Sequence, residues 1–237
     1  MKHLEKSYVA KKSSVIERGH INQFLCQYEN SNDGLLMKVA MIIAIHGGLR
    51  VSELAALKFD DVRIVGCNYE ITIQQSKTDK AGHGHVFAIT PVPVSSVCPI
   101  NSISRYIQLF VNPSGRFFRK FGNNGQPLNQ PMGVNSMAKI PEKVAHFLGL
   151  EGNFTGHCFR RTSATILADA GANHLQLKRH GRWKSTSVAE GYIDNSKAAR
   201  VEISNMLNGD SSKAPVSAVD KFVNCQFQNC SVSVNFH

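Results

Sequence analysis

His157 and Arg160 stand three residues apart in the segment Thr155-Gly156-His157-Cys158-Phe159-Arg160-Arg161-Thr162-Ser163-Ala164-Thr165, where helical spacing resumes after a glycine turn. On a helix the two share a face, near the end that carries the positive macrodipole, so a phosphate would be attracted there. Attack on a phosphodiester asks for a nucleophile, for strong donors on the non-bridging oxygens where charge builds, and for an acid at the leaving oxygen. Arginine suits the second task because its planar fork donates to two oxygens at once. Taken alone, the pair also fits an ordinary solvated helix start, since short motifs of this kind arise by chance.

A second basic feature is the run Lys178-Arg179-His180-Gly181-Arg182-Trp183-Lys184, which carries four formal positive charges and no acid. It reads equally as a DNA-backbone contact or as a solvated turn. The whole chain points the same way. Its 237 residues hold 27 Lys and Arg against 17 Asp and Glu, a formal charge of +10, and a compact domain with that excess attracts polyanions. Charge nominates nucleic acid as a partner without proving it. His83 and His85 alternate with glycines but have no third ligand in view, so they read as a polar turn and no metal is expected. The six cysteines, Cys26, Cys67, Cys98, Cys158, Cys225 and Cys230, form no C-x-x-C pair and read as reduced thiols.

The elements that must position these residues follow from periodicity. After a basic lead over 1–13, apolar residues at helical spacing predict helices over 14–28 and 34–45, the second broken by His46-Gly47-Gly48. Ser52 and Glu53 then open a short helix to about Lys58, which places Arg50 at a helix start. From Asp61 to Thr90, β-branched and aromatic residues flank a polar, glycine-bearing centre, as in a small hairpin or three-stranded sheet with its tip at 77–85. A helix is expected over 100–110, then a long Gly, Asn and Pro-rich loop over 112–131 in which Phe117-Phe118 form a short strand. Helical spacing resumes over 134–148, 157–169, 173–179, 187–193 and 197–207. The fold class is therefore mainly α with a small antiparallel β-sheet, one domain over 14–209. Residues 210–237 form a tail that suits an edge strand, an oligomerisation segment or disorder. The richest apolar run, Met37 to Ile45, is interrupted by Lys38 and too short to span a membrane, and the charged N-terminus lacks the apolar stretch of a secretory signal. No membrane association and no secretion are expected.

The ordered set Gly48-Leu49-Arg50-Val51-Ser52-Glu53-Leu54, Ser76-Lys77-Thr78, His157-Cys158-Phe159-Arg160, Gly181-Arg182-Trp183 and Gly191-Tyr192-Ile193 resembles the tyrosine recombinases, or phage integrases. In that family a histidine or tryptophan lies nine residues before the nucleophilic tyrosine. Trp183, not His180, has that spacing to Tyr192, as in a Cre-like variant with tryptophan in the third box. The resemblance implies the family's α+β catalytic-domain fold and DNA cleavage and rejoining through a 3′-phosphotyrosyl intermediate at Tyr192, with no cofactor. It makes Arg50 and Arg160 the phosphate clamp and His157 a phosphate ligand that helps accept the tyrosine proton. Trp183 becomes an indole donor to a non-bridging oxygen, which cannot titrate. Lys77 becomes the acid for the leaving 5′ oxygen, with Lys80 as its nearby rival, and Glu53 an acidic support. Arg161, Lys178, Arg179, Arg182, Lys184 and Lys80 are the candidate DNA-binding residues beside them.

Family members that act alone carry a second, helical DNA-binding domain ahead of the catalytic one. The residues before the first core helix are too few for it by ordinary domain sizes. Double-stranded DNA is therefore the expected partner, together with self-association into a tetramer on DNA or a protein supplying the missing domain. The wording over 178–193 resembles recombinases of crypton and DIRS-type mobile elements, which implies a nuclear location if the host is eukaryotic and a cytoplasmic one otherwise. A domesticated, catalytically silent DNA-binding or assembly protein is the alternative. A type IB topoisomerase would share the chemistry but needs a clamp domain of its own.

Overall fold

The computed structural model describes residues 12–28, 31–74 and 84–208. Ten helices and five strands run through them. At the centre lies α2 (Asn32–His46), apolar on nearly every face and buried from Gly34 through Ala44. Ser31 caps it by accepting from the Gly34 N–H at 3.1 Å, and Gly47 ends it. Lys38, the one basic residue inside that run, turns its ammonium out to the Tyr28 carbonyl at 2.9 Å. Around α2 pack α3 (Val51–Ala56), α4 (Pro99–Ile107), α6 (Ile140–Phe147) and α7 (Cys158–Asp169), while α1 (Arg18–Gln27) sets Phe24 edge-on against Phe147 of α6.

The expected three-stranded sheet is present as β1 (Val62–Val65), β2 (Asn68–Ile73) and β3 (His85–Ile89), all antiparallel with β2 in the middle. Tyr69, Ile71 and Ile73 alternate into the core along β2, and the Tyr69 hydroxyl reaches Ser104 on α4 at 2.9 Å. The predicted hairpin tip, with Lys77, Lys80 and His83, lies largely outside the described residues.

Three boundaries differ from the sequence reading. The first helix starts at Arg18, because the backbone of 14–16 bonds elsewhere: Ser14 exchanges hydrogen bonds with Asn153, and the Ile16 N–H donates to Thr162 Oγ1 on α7 at 3.0 Å. The stretch expected as one helix over 134–148 is split into α5 (Val134–Ala138) and α6, since Pro141 has no N–H to continue the ladder and serves in the first turn of α6. The long loop over 112–131 contains a hairpin, β4 (Arg119–Phe121) with β5 (Pro127–Pro131), turned at Gly122-Asn123-Asn124-Gly125 where Gly125 has φ +74°. Phe117 and Phe118 precede β4 as buried core residues beneath Tyr106. The remaining helices are α8 (His174–Gly181), α9 (Ser187–Ile193) and α10 (Lys197–Leu207). The tail over 210–237 lies outside the described residues. No described helix is long and apolar enough to cross a membrane.

Candidate active site

The site is assembled where three chain breaks meet: the glycine turn after α2, the start of α7, and the turn between α8 and α9. Gly47 and Gly48 have no room for side chains. A Cβ on Gly47 would sit 2.6 Å from the Phe87 ring, and one on Gly48, at φ +54°, 2.8 Å from His180 Nε2. This closeness lays the α2–α3 turn directly on α8. Arg50 then caps α3, and Glu53 folds back to accept from the Arg50 N–H at 2.8 Å and from its guanidinium at 2.6 Å.

Arg160, in the first turn of α7, is 8% exposed. Its fork donates one N–H to the Gly48 carbonyl and another to the Gly181 carbonyl, so one side chain ties the α2–α3 turn to the end of α8. Arg182 completes the group by donating to the carbonyls of Gly47 at 2.9 Å and Gly48 at 3.4 Å and to Glu53 at 2.6 Å. The Glu53 carboxylate is thereby shared between Arg50 and Arg182. Three guanidiniums face one carboxylate, and burial, with the repulsion of Arg50 and Arg182 added, lowers the pKa of Arg160 to about 10. It remains cationic at neutral pH, and an entering oxyanion would relieve the repulsion.

Tyr192 lies on α9 with its ring stacked on Trp183, centroids 5.4 Å apart and planes 9° from parallel. Trp183 in turn lies under the Arg160 guanidinium at 5.7 Å. Burial raises the Tyr192 pKa, opposed by the charges of Arg161 and Arg160 and by a hydrogen bond from Arg161. The phenol is thus protonated at neutral pH and would need a base to serve as a nucleophile. His180 is a different kind of histidine. Its Nε2 lies 2.6 Å from Ser163 Oγ, whose hydroxyl donates to the Ile45 carbonyl, and burial with the nearby Arg182 lowers its pKa to about 4. It is neutral and structural, which agrees with Trp183 rather than His180 facing the tyrosine.

Of the residues singled out in the sequence, Arg50, Glu53, Arg160, Trp183 and Tyr192 are brought together. His157 sits exposed at the start of α7, its ring unbonded to any other described residue. Lys77 and Lys80 lie outside the described residues. Arg179 and Lys184 are exposed and Lys178 half-buried, as a surface contact requires. Arg161 is half-buried and donates both to the Ser13 carbonyl and to the Tyr192 phenol. Arg182 is placed differently from the free surface charge expected of it: its side chain is 9% exposed and turned inward onto Glu53. Sequence reasoning passed over Ser163 and the inward role of Arg182. Ser163, three residues after Arg160 on the same helical face, could have been found by spacing. Among the described residues no group of three or more His, Cys, Asp or Glu could hold a metal ion.

The chain has counterparts in sequence and in fold. The sequence pattern of the Phage integrase family matches residues 14–199. An integrase/recombinase XerD homolog from Selenomonas ruminantium is 28% identical over 167 residues, which cover 70% of this chain and 49% of that protein. The XerH site-specific recombinase, in a post-cleavage complex with palindromic difH substrate, superposes with a TM-score of 0.60 at 16% identity, covering 82% of this chain and 53% of XerH. The XerA recombinase gives a TM-score of 0.60 at 16% identity over 85% of this chain and 66% of its own. The chain thus spans about half the length of the curated relative it matches, and the likeness to the solved structures establishes a shared fold.

Proposed function

The chain belongs to the phage integrase family, and on that premise we propose that residues 14–209 form a catalytic domain that cuts and rejoins duplex DNA site-specifically through Tyr192. In the cleavage step the Tyr192 oxygen attacks the scissile phosphorus, its proton passes toward His157, the bond to the 5′ oxygen breaks, and Lys77 protonates that oxygen. Arg50 and Arg160 offset charge on the phosphoryl oxygens, and Trp183 donates its indole N–H there. Reversal by a 5′ hydroxyl reseals the strand without an external energy source, because the phosphotyrosyl bond conserves the phosphodiester energy. Glu53 orients the cage, and Lys178, Arg179 and Lys184 lie on the surface beside it, where they would meet DNA backbone. Work on DNA would take place in the nucleus of a eukaryotic host and otherwise in the cytoplasm.

The observation that carries this reading is the single chain of contacts from Glu53 through the Arg50, Arg160 and Arg182 cage to Trp183 and Tyr192. The XerH and lambda integrase structures contain DNA, the latter as a dimer on a core site. By analogy this chain would act as an assembly on DNA. The test is incubation with a nicked suicide duplex followed by a denaturing gel. A slow-migrating protein–DNA band that disappears in Tyr192→Phe is expected. DNA binding with no such band, even with a DNA-binding domain supplied in trans, would favour the catalytically silent alternative.

A further inference from the structure

Arg182 occupies a backbone position that its side chain does not favour. It caps α8 at φ +49° and ψ +44°, the left-handed region, which glycine adopts freely and other residues adopt reluctantly. A cap alone would be better served by glycine. A contact to DNA backbone needs an exposed head, whereas this side chain is 9% exposed. What the left-handed turn does achieve is direction: it sends the guanidinium back across the seam to Glu53 Oε2 at 2.6 Å and to the Gly47 and Gly48 carbonyls. Glu53 holds Arg50 with its other oxygen at 2.6 Å. The next residue along the chain is Trp183, whose ring lies on Tyr192.

We propose that Arg182 is a positioning residue: by reaching from the α8–α9 turn to Glu53 and the Gly47-Gly48 turn, it fixes Trp183, and through it Tyr192, at a set distance from Arg50. The inference rests on the strand-cleavage reading for its consequence, but its geometric content stands apart from it. The position of the Trp183 ring, and with it the alignment of nucleophile and phosphate clamp, is set by a side chain that touches neither the phosphate nor the phenol.

The chain contains one tryptophan, so its fluorescence reports Trp183 alone. The test compares the full chain with Arg182→Gly, which relaxes the backbone while removing the fork, with Arg182→Asn, which also tolerates the left-handed region, and with Arg182→Lys, which keeps the charge. Acrylamide quenching of Trp183 should rise about twofold in the Gly and Asn variants as the turn loosens, with Lys intermediate. The single-turnover rate of covalent adduct formation at saturating suicide duplex should fall about 100-fold in Gly and Asn, with DNA affinity within a few-fold of the parent. Quenching and adduct rate both unchanged in Arg182→Gly would overturn the proposal, as would a DNA-affinity loss that accounts for the whole effect. If the parent forms no adduct, the strand-cleavage reading fails while the quenching comparison still decides the role of Arg182. If Arg182→Gly does not fold, the Asn and Lys variants carry the same comparison.

Discussion

Arg50 and Glu53 rest on the large core, where Leu49, Leu54, Met41, Ile43 and Phe159 belong to one continuous cluster running from Ile16 through α2, the sheet and the aromatic group around Tyr106. Trp183 and Tyr192 rest on a second, small cluster whose fully buried members are Ala164, Ala168, Leu177 and Ala189. Stabilisation by burial scales with apolar area, at about 25 cal/mol per Å², and three alanines with one leucine offer little of it. α7 spans both clusters, with Cys158 and Phe159 in the first and Ala164 and Ala168 in the second. The half of the pocket that holds the proposed phosphate clamp is therefore built into the large core, while the half that holds the proposed nucleophile is held largely by polar bonds across a seam. Such an arrangement lets the tyrosine move or be released while the clamp stays formed.

The strongest way to break this asymmetry is at Arg160, which is both a proposed clamp residue and the bridge from Gly48 to Gly181. Arg160→Lys keeps the charge but cannot donate in both directions at once. Its single-turnover rate of adduct formation should fall about 10²- to 10³-fold, and amide exchange should accelerate across α8 and α9 but not across α2. Equal acceleration in both regions would mean that the seam does not separate them.

Next in size is a paired deletion of buried methyl groups. Ile43 and Leu177 are both fully buried, one in each cluster. Ile43→Ala should destabilise the domain by about 3 kcal/mol and lower its main thermal transition. Leu177→Ala removes a comparable volume, yet its cost should fall on local attachment: the main transition moves little, while the adduct rate and Trp183 fluorescence change. A common drop in the main transition for both variants would show one cooperative core.

The same contrast explains what could be read from the sequence. The large-core elements are legible because α2 is a nearly unbroken apolar run, β2 alternates strictly and α7 has helical spacing, and the site candidates are legible because Arg50, Arg160, Trp183 and Tyr192 keep a family's order and spacing. Where local signals compete, the reading failed. Residues 14–17 have helical spacing, but Ser14 and Ile16 give their N–H groups to Asn153 and α7, and the β4–β5 hairpin alternates too weakly between prolines to register as strands. Arg182 reads in the sequence as a DNA-binding residue of the basic run, because nothing in its neighbourhood tells that a left-handed cap turns it inward. Long-range partners, 129 residues apart in the case of Glu53 and Arg182, leave no periodic trace.

The smallest expected effect, and the finest probe of the seam, is its response to acid. His180 is half-buried between α7 and the Gly48 turn, among Arg182, His85, Arg160 and His46, and its pKa is lowered to about 4 from an ordinary 6.5. Between those values the unfolded chain binds a proton that the folded ring refuses, so stability falls as pH drops from 6.5 toward 4 and is fully retained above that window. The full shift corresponds to about 3 kcal/mol, and partial exposure of the ring reduces this to about 2 kcal/mol. Because the protonated ring would press against Arg182 and Arg160 at the seam, the loss should appear first there. On acidification Trp183 fluorescence should change at a higher pH than far-ultraviolet circular dichroism. His180→Gln, which keeps a donor for Ser163 but has no proton to gain, should bring the two midpoints together. Coincident midpoints in the parent protein would instead mean that acid unfolds both clusters as one, and that the polar seam is as firmly closed as the core behind Arg50.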